Sequence, residues 1–168
     1  MTYQEKRVFT SIITGSALLA AYCIYAWGKL QSGTVSMDNL NFWAVTMLKF
    51  VVIGIIAAIV LQILFHILLS IGIAVREKIR DESCDDKIIE KTIKQEMVED
   101  ERDKLIELKS LRLGFFMAGV GFIASLITLA LGYSPGIMLN ILFLSFFAGS
   151  ISEGLAQLYY YKAGFRNG

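Results

Sequence analysis

At 168 residues the chain has room for one domain. Its 55% hydrophobic and 18% charged residues, with a mean hydropathy of +0.59, set it apart from water-soluble domains, which carry about a quarter charged residues and rarely hold apolar runs of about 20. The net charge of +1 excludes nucleic acid as a bulk electrostatic partner, and two cysteines in unlike settings, Cys23 in an apolar run and Cys84 in an acidic one, predict neither a disulfide framework nor a metal-thiolate site.

The first apolar segment runs over residues 8 to 27 behind Lys6 and Arg7, long enough to cross a hydrocarbon core of roughly 30 Å. It exceeds the usual signal-peptide core of about 7 to 15 residues, and Tyr22 stands before Cys23 where a lipoprotein cleavage box needs a small residue. A retained helix is expected. The second segment, from Phe42 and Trp43 to Val75, is interrupted only by Lys49, Gln62, His66 and Ser70. It is longer than a bilayer core requires, which predicts tilt or projection into the cytosol, with Trp43 anchoring and Lys49 snorkelling at its outer end.

Residues 76 to 112 then gather 22 of the chain's 31 charged groups, ten basic and twelve acidic. Such a mixture does not make a lipid-binding polybasic stretch, and it predicts a cytosolic helical connection over about 76 to 110. Within "DKIIEKTIKQEM", Ile89, Ile93 and Met97 recur every four residues as a thin apolar stripe, suited to a second copy, to a protein partner or to the chain's own bundle. In "VEDERDKLIELKS", Asp100 is expected to cap a helix with Asp103 three residues on, while Glu101 opposes the positive end of its dipole. The alternative for the same stretch is a docking site at which Arg102 or a carboxylate meets a partner.

That helix has no breaker before Gly114 and should run directly into the third span, residues 111 to 131. "GYSPG" at 132 to 136 holds the chain's proline and predicts a tight turn, so the fourth span, residues 137 to 161, forms an antiparallel hairpin with the third. Gly114 with Ala118, and Gly121 with Ser125, give small-xxx-small spacings for contact within the hairpin or between subunits, and Tyr159, Tyr160 and Tyr161 fit an interfacial belt. With the amino terminus inside, nearly every Lys and Arg falls on the cytosolic face, and Lys29 and Lys49 alone lie towards the other. The fold expected is therefore all-α, an integral membrane four-helix bundle with both termini cytosolic in the cytoplasmic membrane.

The run "VEDERDKLIELKS" followed by an apolar span resembles a motif of small prokaryotic membrane proteins of unknown function, in which E-D-E-R precedes I-x-x-K and a transmembrane segment. The resemblance covers residues 98 to 121 and touches Glu99, Asp100, Glu101, Arg102 and Lys109. It implies a bacterial or archaeal cytoplasmic membrane protein and carries no activity with it.

Polar groups inside the spans are the candidates for chemistry, because the bilayer makes them costly. Glu153 lies nine residues before Lys162 and His66 ten before Arg76, so counting places both at one depth, about 13 to 15 Å from the inner boundary. A His66 and Glu153 pair, extended by Gln62 and Gln157, is expected between the second and fourth helices. It could lock packing, worth about 0.6 to 2 kcal/mol per contact, or form a proton-linked or ligand-binding site. A lone His with no second His predicts no metal, no cofactor is implied, and no H-E-x-x-H, G-x-S-x-G or phosphate loop is present. The functional expectation is a non-enzymatic regulatory, immunity or accessory subunit acting through the cytosolic segment, with the bilayer and a possible homodimer as partners. The alternative is a small transporter or channel built around Glu153 and His66.

Overall fold

A backbone threaded through apolar side chains has no partner for its N–H and C=O groups but itself, and helices satisfy them within one segment. In the computed structural model, which describes residues 3 to 80 and 100 to 163, the chain forms four helices: α1 (Tyr3–Gln31), α2 (Leu40–Arg80), α3 (Glu101–Ala130) and α4 (Pro135–Ala163). All four contain stretches long and apolar enough to cross a membrane, and no strand occurs among the described residues. Each helix starts before its expected apolar run, and α2 is the longest, at 41 residues or about 60 Å. The stripe of Ile89, Ile93 and Met97 lies outside the described residues.

The helix ends follow local chemistry. α1 stops where Gly33 takes φ +66°, and α2 starts where the Asn39 side chain accepts the Phe42 N–H at 3.1 Å. α3 begins as expected at Asp100: its carboxylate accepts the Glu101 N–H at 2.7 Å while Asp103 accepts the Asp100 N–H at 3.3 Å. The α3–α4 turn closes with Gly132 at φ +83°, the Gly132 N–H on the Leu129 carbonyl at 3.0 Å and the Tyr133 N–H on that of Thr128 at 3.1 Å. Pro135 then occupies the first position of α4, where a missing N–H costs nothing. Asp100→Ala should weaken the first turn of α3 by about 1 kcal/mol, read as faster amide exchange over residues 101 to 104. Arg102→Ala, at an exposed side chain, should leave that exchange unchanged.

α4 is the central helix. It packs along its length on α3, as the expected hairpin, and on its other side against α1, while α2 meets α1 and α4 only over short stretches. The starts of α1 and α3 therefore share one end with the finish of α4, and Tyr3 against Phe65 and His66 brings the later part of α2 there too. At the opposite end Tyr22, Ala26, Trp43 and Met47 form the apolar core, with Leu139 and Phe143 of α4 against it. Trp43 is fully buried, and its indole N–H donates to the Ser36 carbonyl at 3.2 Å. This corrects the expected outward anchor: the short 32–39 connection folds back over the ring, and exposed Trp27 takes the outward position.

Along the contact between α3 and α4, burial is inverted relative to a water-soluble domain. Ser110, Gly114, Ser125, Ser145 and Gly149 are buried between α3 and α4, whereas Phe115 is 78% and Ile24 74% exposed. The hairpin has consumed the small residues. A Cβ on Gly149 would lie 2.6 Å from the Gly114 carbonyl oxygen, and one on Gly121 would overlap the Ser145 side chain. Close backbone approach of this kind is how helices adhere where the surroundings are as apolar as their side chains.

Candidate functional site

Outside residues 76 to 112 the chain has three acidic residues, Glu5, Asp38 and Glu153, and only Glu153 falls inside an apolar run. Helical spacing on α4 puts Ser150, Glu153, Gly154, Gln157 and Tyr161 along one side, and Gln4, Arg7, Val8 and Ser11 do the same on α1. With Glu107 of α3 they enclose a polar cleft of about 190 Å³. Two glycines make the cleft possible. Gly154 admits Ile12 of α1, whose Cγ1 would stand 2.6 Å from any Cβ there, and Gly114 of α3 accepts the Glu153 stem, with Oε2 3.2 Å from where its own Cβ would be.

The Gln157 amide donates to Glu153 Oε1 at 3.3 Å, and Glu107 lies close enough for its charge to act on that of Glu153. Arg7 borders the same space, and among the described residues no ion pair joins it to either carboxylate. The cleft thus offers two carboxylates, one guanidinium, amides and hydroxyls to a ligand. Its carboxylates can hold a cationic group and Arg7 an anionic one. Among the described residues no three His, Cys, Asp or Glu side chains converge as a metal site.

The structure brings together half of the expected polar cluster. Glu153 and Gln157 share the cleft, but His66 turns to α1, where the Tyr3 hydroxyl lies 2.9 Å from Nε2 and 3.1 Å from Nδ1. No hydrogen bond joins His66 to Glu153 among the described residues. Counting residues sets depth along a helix, whereas the facing direction depends on packing: His66 finds its partner on α1, and Glu153 finds Gln157 on its own helix. Gln62 opens onto a separate cavity, and Arg102 is exposed in the first turn of α3. Tyr3, Gln4, Arg7 and Glu107 were legible only as boundary charges and polar flanks. The signal that identifies three of the cleft's positions is the spacing of Gln4, Arg7 and Ser11 on one side of α1.

The second cavity is a half-open groove of about 500 Å³ between α1, α2 and α4, lined by Thr14, Leu18, Phe50, Ile55, Ala58 and Phe147 among others. Arg7, Ser11 and Ser150 border both cavities, so groove and cleft lie side by side. The charges are all at the cleft end. No protein-family model matches the chain, and no curated protein or solved structure shows significant similarity to it.

Proposed function

We propose that the chain is a non-enzymatic multi-pass protein of a prokaryotic cytoplasmic membrane, with both termini and the connection between α2 and α3 cytosolic. Its work is to bind a ligand carrying positive charge in the cleft around Glu153. The burial pattern supports the membrane setting: many large apolar side chains cover the outside, and small residues fill the contact between α3 and α4. The orientation is supported by the gathering of Lys6, Arg7, Lys104, Lys109, Arg112 and Lys162 towards the end that carries the cleft. The resemblance of residues 98 to 121 to small prokaryotic membrane proteins accords with both.

The observation that carries the binding role is the placement of Glu153. A carboxylate within an apolar run is costly unless it faces protein or a wet cavity, and this one opens on a space that a second carboxylate, Glu107, also borders. Two like charges around one cavity favour a cationic occupant. A through pathway in the single chain is disfavoured, because the Tyr22, Trp43 and Met47 cluster closes the other end of the bundle. Binding that modulates a partner, as in a regulatory or accessory subunit, fits this closed geometry better than conduction.

Benzylammonium is a suitable small probe. The purified protein in neutral detergent at low salt should bind it, and Glu153→Gln should weaken binding at least tenfold. Glu107→Gln should weaken it less, since that side chain is exposed and better screened, and His66→Ala should not change it. Absence of binding by the wild type, or affinity unaffected by Glu153→Gln, would sink the proposal.

A further inference from the structure

The half-open groove has a chemistry of its own, apart from the cleft. α1 and α2 touch at its two ends. At one, Leu18 packs where Gly54 has no side chain, its Cδ2 2.7 Å from where a Cβ would stand; at the other, the Tyr3 ring meets Phe65 and His66, each at 5.6 Å between centroids. From Gly54 to Phe65 is about 16 Å at 1.5 Å per residue, and the volume of about 500 Å³ lies within the range of about 300 to 1,000 Å³ usual for small-molecule sites. Val51, Ile55 and Phe146 line the groove and remain exposed, so its side is open to lipid. The polar groups gather at the Tyr3 end. The antiparallel register of the two contacts sets Arg7 and Ser11 of α1 opposite Gln62 of α2, and among the described residues none of these three side chains is spent on an ion pair or a hydrogen bond. Thr10 and Thr14 instead turn their hydroxyls onto the carbonyls of Lys6 and Thr10, at 3.0 and 2.9 Å, so the groove is apolar from there to Leu18. Arg7 is the single charged residue of its lining, for Glu107 and Glu153 border the cleft alone.

We infer that the groove binds a long-chain fatty acid, its carboxylate on Arg7 and its single chain running towards Leu18. This is a second site, and it does not depend on the cation-binding reading above. Charge selects the head. A guanidinium fork matches a carboxylate in two parallel hydrogen bonds, and the Gln62 amide and Ser11 hydroxyl can donate to the oxygen lone pairs that remain. Depth selects an amphiphile. Arg7 stands immediately before the apolar run of α1, so a head there lies at the membrane surface and the chain runs inward, whichever face is cytosolic. The closed end selects a compact head. Tyr3 reaches across to Phe65 and His66 four residues outside Arg7, about 6 Å along α1, which suits a carboxylate that ends at its two oxygens better than a glycerophosphate that continues outward.

The test is native mass spectrometry of the full chain in neutral detergent, at alkaline pH where the acid is ionised, with palmitate, its methyl ester and phosphatidylglycerol as probes. The wild type should retain one palmitate about tenfold more tightly than methyl palmitate, which has the same chain and no charge. Arg7→Gln should remove that preference, and Arg7→Lys should keep part of it. Ala58→Trp, which fills the groove from α2 at an exposed position, should abolish retention of palmitate and ester alike while leaving benzylammonium binding intact, and Ile55→Trp serves the same purpose if the first variant does not fold. A methyl ester held as tightly as palmitate, a preference that persists in Arg7→Gln, or palmitate retention that survives a folded groove-filling variant would overturn the inference. Stronger retention of phosphatidylglycerol than of palmitate would overturn it too, in favour of a two-chain lipid. Benzylammonium binding, read on the same proteins, decides the cation site separately.

Discussion

Gly149→Leu is expected to separate α3 from α4 and abolish stable folding. The reason is the nature of the neighbour. A Cβ at Gly149 would meet the Gly114 carbonyl oxygen at 2.6 Å and the Ala118 Cβ at 3.5 Å. A flexible side chain can rotate away, but a helical carbonyl moves only with its helix. Overpacking typically costs about 1 to 3 kcal/mol where side chains can adjust, and more is expected where backbone must move. Gly149→Ala is a milder version, since the helix propensity gained, up to about 1 kcal/mol, offsets part of the clash. Gly119 on the same helix as Gly114 is the control: nothing lies within 4 Å of its would-be Cβ, so Gly119→Ala should leave stability unchanged or raise it by up to about 1 kcal/mol. Unfolding followed in detergent would measure all three. A Gly149→Leu protein as stable as the wild type would show that the helices do not approach through this pair. The same substitution reaches function, because Gly114 also accommodates Glu153, and a hairpin forced apart moves the carboxylate away from Glu107.

That contact also shows what was readable from residue order and what was not. The spacing of Gly114 with Ala118 and Gly121 with Ser125 marked a close helix contact, and the turn at 132 to 136 set its antiparallel direction. Whether the contact lay within the chain or between copies was open, since lipid-exposed and partner-facing small residues read alike. The structure answers through burial: Ser110, Gly114 and Ser125 face α4. The cap at Asp100 was legible because capping is local chemistry. The meeting of His66 with Tyr3 instead of Glu153 was not, because it depends on the rotation of helices about their axes. That rotation is fixed by contacts such as Leu18 against Gly54 and Ile12 against Gly154, which join residues far apart in sequence. Arg7 shows a further limit. A basic residue before an apolar run has a sufficient explanation as a topology signal, and that explanation conceals its place at the junction of two cavities.

Trp43→Ala should cost about 3 kcal/mol, the lower end of the range for emptying a large aromatic from a core. Two opposing considerations set that figure. In a bilayer the transfer part of the loss shrinks, because lipid tails are as apolar as the protein interior. The cavity remains in full, for Trp43 is 0% exposed and packs with Tyr22, Ala26 and Met47, where the main chain around Met37 and Gly136 is already in close contact. Trp43→Phe keeps most of the packing and loses the hydrogen bond to the Ser36 carbonyl, a loss of about 1 kcal/mol. An anchoring tryptophan facing the interface would behave differently: Trp43→Ala would then cost little, and Trp27→Ala, at a 69% exposed ring, would show the larger effect on membrane insertion. Because the Tyr22 and Trp43 cluster closes the end of the bundle remote from Glu153, benzylammonium affinity should persist in any Trp43 variant that folds. A folded Trp43→Ala protein that both lost that affinity and passed the cation across vesicles would instead mean that cluster and cleft lie on one pathway, and that the ring is its gate.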